Sequence, residues 1–350
     1  MKEKITKSLA EVQNNSFIEK SNATLIELAK SVVEQEHFSN TISDSTYFRK
    51  QCSIKIIEKL DIANMEIQKI TIDNINDSLI SLKDYSNSVI SKVSGLMSSA
   101  LDKAVLLNII YSNPFHTKGA IIRVKSTKQN KEIEALTTEE QSAFLNELNR
   151  KNYAYKNVFL IAIYTGMRIG EILALTKNDI DLNNQTITIN KTLTRTSSDK
   201  VSIGKTTKTY AGLRQIPFLD ILFPILDNLV AEADNYLFTY FDNFVMPSTI
   251  NSQFKRICKN ANIKTLDTKK KKVEKDGTIK YVNLKSSSVN THMLRHTFAT
   301  RCIESGMSPV VLQRILGHKD IETTLNTYTS VFNKFKEDEL GKLEKYIKSI

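Results

Sequence analysis

The sequence predicts a mainly helical protein with a small β-sheet, an α+β arrangement of a helical N-terminal bundle followed by a mixed α/β domain. Two observations predict it. Residues 21–112 combine helical periodicity with a near absence of Gly and Pro, Gly95 being the lone exception. The remainder mixes helical stripes with short β-branched stretches bounded by turn residues. At 350 residues the chain has room for two or three domains, and its 41% hydrophobic content suits ordinary globular cores.

Taken in order, residues 1–20 are a polar extension of mixed charge. Helical periodicity then runs through Leu25 to Val33, Thr46 to Leu60, Asn74 to Leu82 and Ser86 to Asn108, enough for four or five helices over residues 21–116. Asn113-Pro114-Phe115 closes the bundle. Residues 117–134 read as a basic linker, with Lys118, Arg123, Lys125, Lys128 and Lys131 and no helical period. A second domain over 135–331 opens at Leu136-Thr137-Thr138-Glu139-Glu140, a helix start with threonine capping. Val158 to Tyr164 is an apolar run long enough for a buried helix. It breaks at Thr165-Gly166-Met167-Arg168, and a new helix starts at Ile169. Arg168 therefore sits at a turn beside an apolar core, where a guanidinium needs anionic partners. Glu171 can hold it, or the two form a plain surface ion pair.

Thr186 to Ile189 alternates as a strand. Lys264 to Lys285 carries eight lysines around Asp276-Gly277. Val273, Ile279, Tyr281 and Val282 suggest an exposed hairpin there, a solvated charged loop being the alternative. Ser308-Pro309 looks like an N-cap and first-turn proline, and Val310, Val311, Leu312, Ile315 and Leu316 form an apolar stripe. Gly317 stops that helix. Asp320 can cap a short helix carrying Thr323, Thr324 and Tyr328. Residues 332–350 place Phe335, Leu343, Tyr346, Ile347 and Ile350 at helical spacing.

The chemistry concentrates in Thr291-His292-Met293-Leu294-Arg295-His296-Thr297, then His318, then Tyr328. His292, Arg295 and His296 share one helical face. Few reactions need two imidazoles and a guanidinium there, a third imidazole after the next helix and a tyrosine beyond it. Attack of a tyrosine hydroxyl on a phosphodiester is one. Its transition state spreads negative charge over non-bridging oxygens, which fixed cationic donors stabilise, and the planar fork of arginine matches two such oxygens at once. His292 and His296 could instead ligate a metal, but the usual zinc pattern has Glu after the first His, and here that residue is Met293. No carboxylate cluster of two-metal type and no phosphate-cradling glycine loop is evident. No cofactor and no metal are therefore expected.

Four separated pieces, T-G-M-R-I-G-E, H-M-L-R-H, L-G-H and T-L-N-T-Y, resemble the tyrosine recombinase (phage integrase) family in order and spacing, from Ala135 to about Phe332. The resemblance implies that family's catalytic fold and an Arg-Lys-His-Arg-His-Tyr site. Arg168 and Arg295 would clamp the phosphate, His292 handle the proton, His318 donate a hydrogen bond and Tyr328 attack. The family's lysine lies on a β-hairpin between the two arginine motifs. Residues 205–217 look like the K-T-x-x-G-x-R-x-I-P hairpin of transposon and phage integrases. That pattern selects Lys208, with Lys205 the alternative. His296 is read as support through a hydrogen bond. A tyrosine of ordinary pKa, ~10, must lose its proton as it attacks.

Charge fits a nucleic-acid partner: the formal net charge is +11. Residues 21–118 hold 10 basic against 11 acidic side chains, and residues 119–350 hold 35 against 24. The positive field thus belongs to the linker and the second domain, and binding should weaken steeply with salt. Cys52, Cys258 and Cys302 form no CxxC pair, as in a reduced cytosol. No run of ~18 apolar residues suggests a membrane span, so a bacterial cytosolic or nucleoid location is expected.

The resemblance further implies core-site DNA binding by residues 21–116, for which Arg49-Lys50 and Lys55 offer local basic faces. It implies a tetramer on double-stranded DNA joined through a C-terminal helix at 332–350, packing on its own domain being the alternative. It also implies a possible accessory DNA-bending or excisionase protein. About 20 residues precede the bundle, so either no arm-binding domain is used or the chain is trimmed. An integrase of a mobile element or phage leads. An Xer-type dimer-resolving recombinase and a type IB topoisomerase-like enzyme are the alternatives. A DNA-binding protein without chemistry would not need Tyr328.

Overall fold

Hydrophobic periodicity resolves into one large core in each half of the chain and a smaller cluster of Ala299, Cys302, Ile303, Leu312 and Leu316. The computed structural model describes residues 18, 20–128, 134–196, 200–205, 213–241, 243–273, 279–287, 289–322, 325, 340 and 344–349. The chain divides into two compact units, Met1–Lys131 and Glu132–Ile350.

The described part of the first unit is helical: α1 Leu25–Phe38, α2 Asp44–Ile57, α3 Ile72–Ser81 and α4 Asn87–Leu106. Side-chain caps start three of them. Thr24 and Glu27 form a capping box on α1, Thr71 and Asn74 do so on α3, and Ser86 accepts from the Val89 amide on α4. The long α4 turns Ile90, Val93, Met97, Leu101 and Ala104 inward, at the spacing of one helical face, against α1 and α2. The segment expected to be a linker is laced onto this unit as far as Thr127. Asn76 donates to the Ala120 carbonyl and accepts from the Ile122 amide. Ser126 donates to the Tyr85 carbonyl, and the Thr127 amide to that of Lys83. Ile121 and Val124 pack on the core. Two apolar residues and a row of hydrogen bonds to partners about 40 residues back in the chain outweigh the lysines that made this stretch read as a basic linker.

The second unit opens with α5 Thr138–Arg150, where Thr137 and Glu140 form the expected capping box. Next come α6 Lys156–Thr165 and the four-residue α7 Ile169–Ile172. A small antiparallel sheet follows in the order β1 (Ile180–Asp181), β2 (Thr186–Ile189), β5 (Arg214–Pro217). A separate hairpin pairs β3 Lys191–Arg195 with β4 Val201–Lys205. Residues 205–217 are therefore not one hairpin: Lys205 pairs with Lys191, whereas Arg214 pairs with Ile189 in the other sheet. Then come α8 Phe223–Glu232, the short pair β6 Thr239–Tyr240 and β7 Asn243–Phe244, and α9 Pro247–Asn260.

The lysine-rich segment is a hairpin, with β8 Thr265–Val273 paired to β9 Ile279–Ser287. Helices α10 His292–Glu304 and α11 Pro309–Leu316 complete the described core elements. Pro309 opens α11 as expected, but the Ser308 side chain makes no capping bond. The core of this unit centres on Phe144, Phe159 and Phe254, with ring centroids 5.4 to 6.2 Å apart. Helix α10 packs on α6. Among the described residues, no helix is long and apolar enough to cross a membrane.

Candidate active site

The apolar α6 ends where Gly166 adopts a left-handed φ of 65°. A Cβ there would meet Phe298 Cδ1 at 2.4 Å, so the turn needs glycine both for its conformation and for the close passage of α10. Gly170 has a different reason: its Cβ would lie 2.7 Å from the Leu193 carbonyl oxygen, so α7 rests directly on β3. Between the two glycines, Arg168 projects with its side chain 41% exposed.

Glu171 holds Arg168. Its Oε2 accepts from the Arg168 amide at 2.9 Å, and its Oε1 accepts from Arg168 Nη1 at 2.9 Å. Glu171 is only 3% exposed. Burial pushes its carboxyl upward, but hydrogen bonds and charge from Arg214, with Arg168 behind them, outweigh this and hold it below the ordinary range. The buried acid therefore stays ionised.

Arg295 stands one turn into α10 and is 3% exposed. Its Nη1 donates to the Gly166 carbonyl at 2.9 Å and its Nη2 to the Leu316 carbonyl at 2.7 Å. It thus joins the turn before Arg168 to the end of α11. Thr297, fully buried, fastens the same helix: it donates to the Met293 carbonyl and accepts from the Leu136 amide at 2.9 Å.

His292 begins α10, and its ring meets that of His296 edge to face at 5.0 Å. Burial, followed by the charges of His296, Arg295 and Arg168, lowers the His292 pKa to about 4. The ring keeps an exposed side, so water screens part of this effect, and its direction is what matters here: neutral at pH 7. His318 is lowered to about 4 by burial, then by Arg295, Arg168, His292 and Arg214. His296 is lowered by burial and Arg295. Four of the expected residues, Arg168, His292, Arg295 and His318, therefore converge from three distant segments. Lys208 and Tyr328 lie outside the described residues. Lys205 is placed by its backbone at the end of β4.

The end of α11 explains how His318 is delivered. Gly317 takes a left-handed φ of 68°. The His318 amide donates to the Gln313 carbonyl and the Gly317 amide to that of Arg314, which closes a Schellman motif. The carbonyls left over belong to Ile315 and Leu316. Arg295 takes Leu316, and Arg214 Nε takes Ile315 at 2.8 Å. Sequence reading gave Arg214 no role. The strand register decides its direction: Arg214 begins β5 opposite buried Ile189, which turns the guanidinium inward, and the sequence alone does not supply that pairing.

Residues 134–334, over half the chain, match the Phage integrase family. The chain belongs to the phage integrase family. It is 28% identical to the integrase of Staphylococcus phage L54a, over 99% of this chain and 98% of that protein. It is 29% identical to the transposase from transposon Tn916 of Enterococcus faecalis, over 59% of this chain and 51% of that protein. It therefore spans nearly all of one relative and about half of the other. In fold it is similar to the Tn1549 transposon integrase solved in complex with transposon right end DNA, at TM-score 0.70 and 21% identity, covering 92% of this chain and 100% of that one. It is also similar to lambda integrase solved as a tetramer bound to a Holliday junction, at TM-score 0.61 and 16% identity, covering 88% and 78%. The four convergent side chains of this family member all lie inside the matched region.

Proposed function

We propose that this phage integrase family member is a site-specific DNA recombinase that cuts and rejoins strands through a 3′-phosphotyrosine, in integration or excision of a phage or transposon. The observation that carries the reading is the meeting of Arg168, Arg295, His292 and His318 with both histidines held neutral. In the reaction, the Tyr328 Oη–phosphorus bond forms while the bond from phosphorus to the 5′ oxygen breaks. Neutral His292 accepts the phenolic proton, directly or through water. Lys208 donates a proton to the leaving 5′ oxygen, with Lys205 the alternative donor. Arg168 contacts the non-bridging oxygens, and buried Arg295 supplies fixed positive charge behind them. His318 adds a hydrogen bond. Attack by the 5′-hydroxyl of another strand reverses the step, and the phosphotyrosine link conserves the bond energy.

On this reading the first unit grips the core site. A groove of about 480 Å³ between α2 and α4 has Leu96 in its wall and carries Arg49 and Lys92, two cations suited to phosphate oxygens, beside Lys50, which is paired with Glu36. Residues 332–350 serve exchange between subunits of a tetramer on DNA. The protein works in the bacterial cytosol. The phage and transposon relatives support the mobile-element role.

A nicked suicide substrate tests the chemistry. The wild type should accumulate a covalent protein–DNA adduct, whereas Tyr328→Phe should bind the DNA and trap none. Adduct formation by Tyr328→Phe would remove the nucleophile from this account. A 5′-bridging phosphorothiolate, whose leaving group needs no proton, should rescue Lys208→Ala; rescue of Lys205→Ala instead would move the assignment.

A further inference from the structure

Glu171 makes more bonds than one arginine requires. Besides Arg168, its Oε1 accepts from Arg214 Nη1 at 3.2 Å and its Oε2 from Arg214 Nη2 at 2.8 Å. Each carboxylate oxygen thus accepts two hydrogen bonds, one from each arginine residue. The Arg214 side chain is 7% exposed, against 41% for Arg168. The buried arginine faces the acid with its two terminal nitrogens, while the exposed one keeps an open side.

The charge balance matters. An Arg168–Glu171 pair alone is neutral, and an acid placed to aim Arg168 would also cancel its attraction for a phosphate. With Arg214, two guanidinium groups surround one carboxylate and leave one positive charge. Glu171 can then orient Arg168 without spending its field. A low-dielectric surrounding magnifies the difference on the inner side, where Glu171 and Arg214 are shielded from water. The third nitrogen of Arg214, Nε, holds the Ile315 carbonyl, so the same side chain fixes the helix end from which His318 emerges.

We propose that Arg214 is a positioning residue for strand cleavage: it offsets the charge of Glu171 so that Arg168 stays electropositive toward the scissile phosphate, and it anchors the α11 terminus beside His318. This rests on the recombinase reading of the site. Failure of that reading shows separately, as a wild-type protein that forms no adduct on the suicide substrate.

The test is a charge-balance cycle in single-turnover cleavage, with DNA affinity and thermal unfolding measured on each protein. Arg214→Gln should slow cleavage by at least about tenfold while DNA affinity changes by less than about threefold, because the loss falls on the transition state. Adding Glu171→Gln removes the acid that then cancels the charge of Arg168 and should restore at least about fivefold of the rate. A merely structural arginine gives no such rescue, since the second change removes a further partner. Unaltered cleavage by Arg214→Gln, or a double variant less than about fivefold faster than it, overturns the proposal. If Arg214→Gln does not fold, the double variant, which buries no unpaired charge, decides: cleavage within about tenfold of wild type supports the offset, and a larger loss refutes it.

Discussion

Arg168 and Arg295 carry the same group toward the same place and are supported in opposite ways. Arg168 is substantially exposed and leans on a buried carboxylate. Arg295 is buried and spends two N–H groups on the carbonyls of Gly166 and Leu316. The difference separates two tasks. An arginine meant to meet a ligand must keep an open side, and an acid shared with Arg214 can hold it without closing that side. An arginine meant to assemble the site must satisfy backbone groups that burial would otherwise leave unpaired. One residue offers its charge, and the other keeps the loops together that make the offer useful.

Substitution should expose the contrast. Arg168→Ala is expected to lower cleavage by about 10³-fold, yet to change stability by less than about 1 kcal/mol, because Glu171 keeps Arg214 as its partner. Arg295→Ala should lower stability by about 3 kcal/mol, since it strips two buried carbonyls of their donor and opens a void. Single-turnover cleavage and denaturant unfolding on both proteins would check this. Similar stability losses in the two would erase the distinction. Gly166→Ala should cost about 2 kcal/mol, from the left-handed backbone and the clash with Phe298 together. A harmless Gly166→Ala would mean that the turn can move away from α10.

The smallest effect concerns pH. His318 has a folded-state pKa of about 4 against an ordinary value near ~6.5. The unfolded chain therefore takes up this proton first as the pH falls. Its contribution to stability is complete above about 6.5 and is lost as the pH drops toward about 4. His292, shifted the same way, adds to the decline. Unfolding midpoints followed across that window should fall less for His318→Gln than for the wild type. Identical slopes would show that burial and the cationic neighbours of His318 do not lower its pKa.

Much of this was open to sequence reading because the relevant forces are local. The apolar run of α6, the glycine stop of α11, and the Thr137–Glu140 cap each depend on neighbours within a turn or two. The hairpin at 265–287 was legible from β-branched residues around an Asp-Gly pair. Two readings missed for the opposite reason. The stretch 117–128 looked like a tether because its lysines dominate, whereas its bonds go to Asn76, Lys83, Tyr85 and Asn87, about 40 residues away in sequence. Residues 205–217 looked like one hairpin, whereas each end pairs with a different earlier strand.

The order of residue types along the chain was enough to show the family resemblance that names the reaction's expected participants, because an arginine at a glycine turn and an H-x-x-R-H helix start are patterns of adjacent residues. It was not enough to say what each participant does. That Arg295 is a buried brace, that Glu171 is divided between two guanidiniums, and that Arg214 belongs to the site at all depend on hydrogen bonds spanning up to 129 residues of sequence. Such bonds are settled by which carbonyls and carboxylates remain unsatisfied once helices and strands have closed, and only packing in three dimensions decides that.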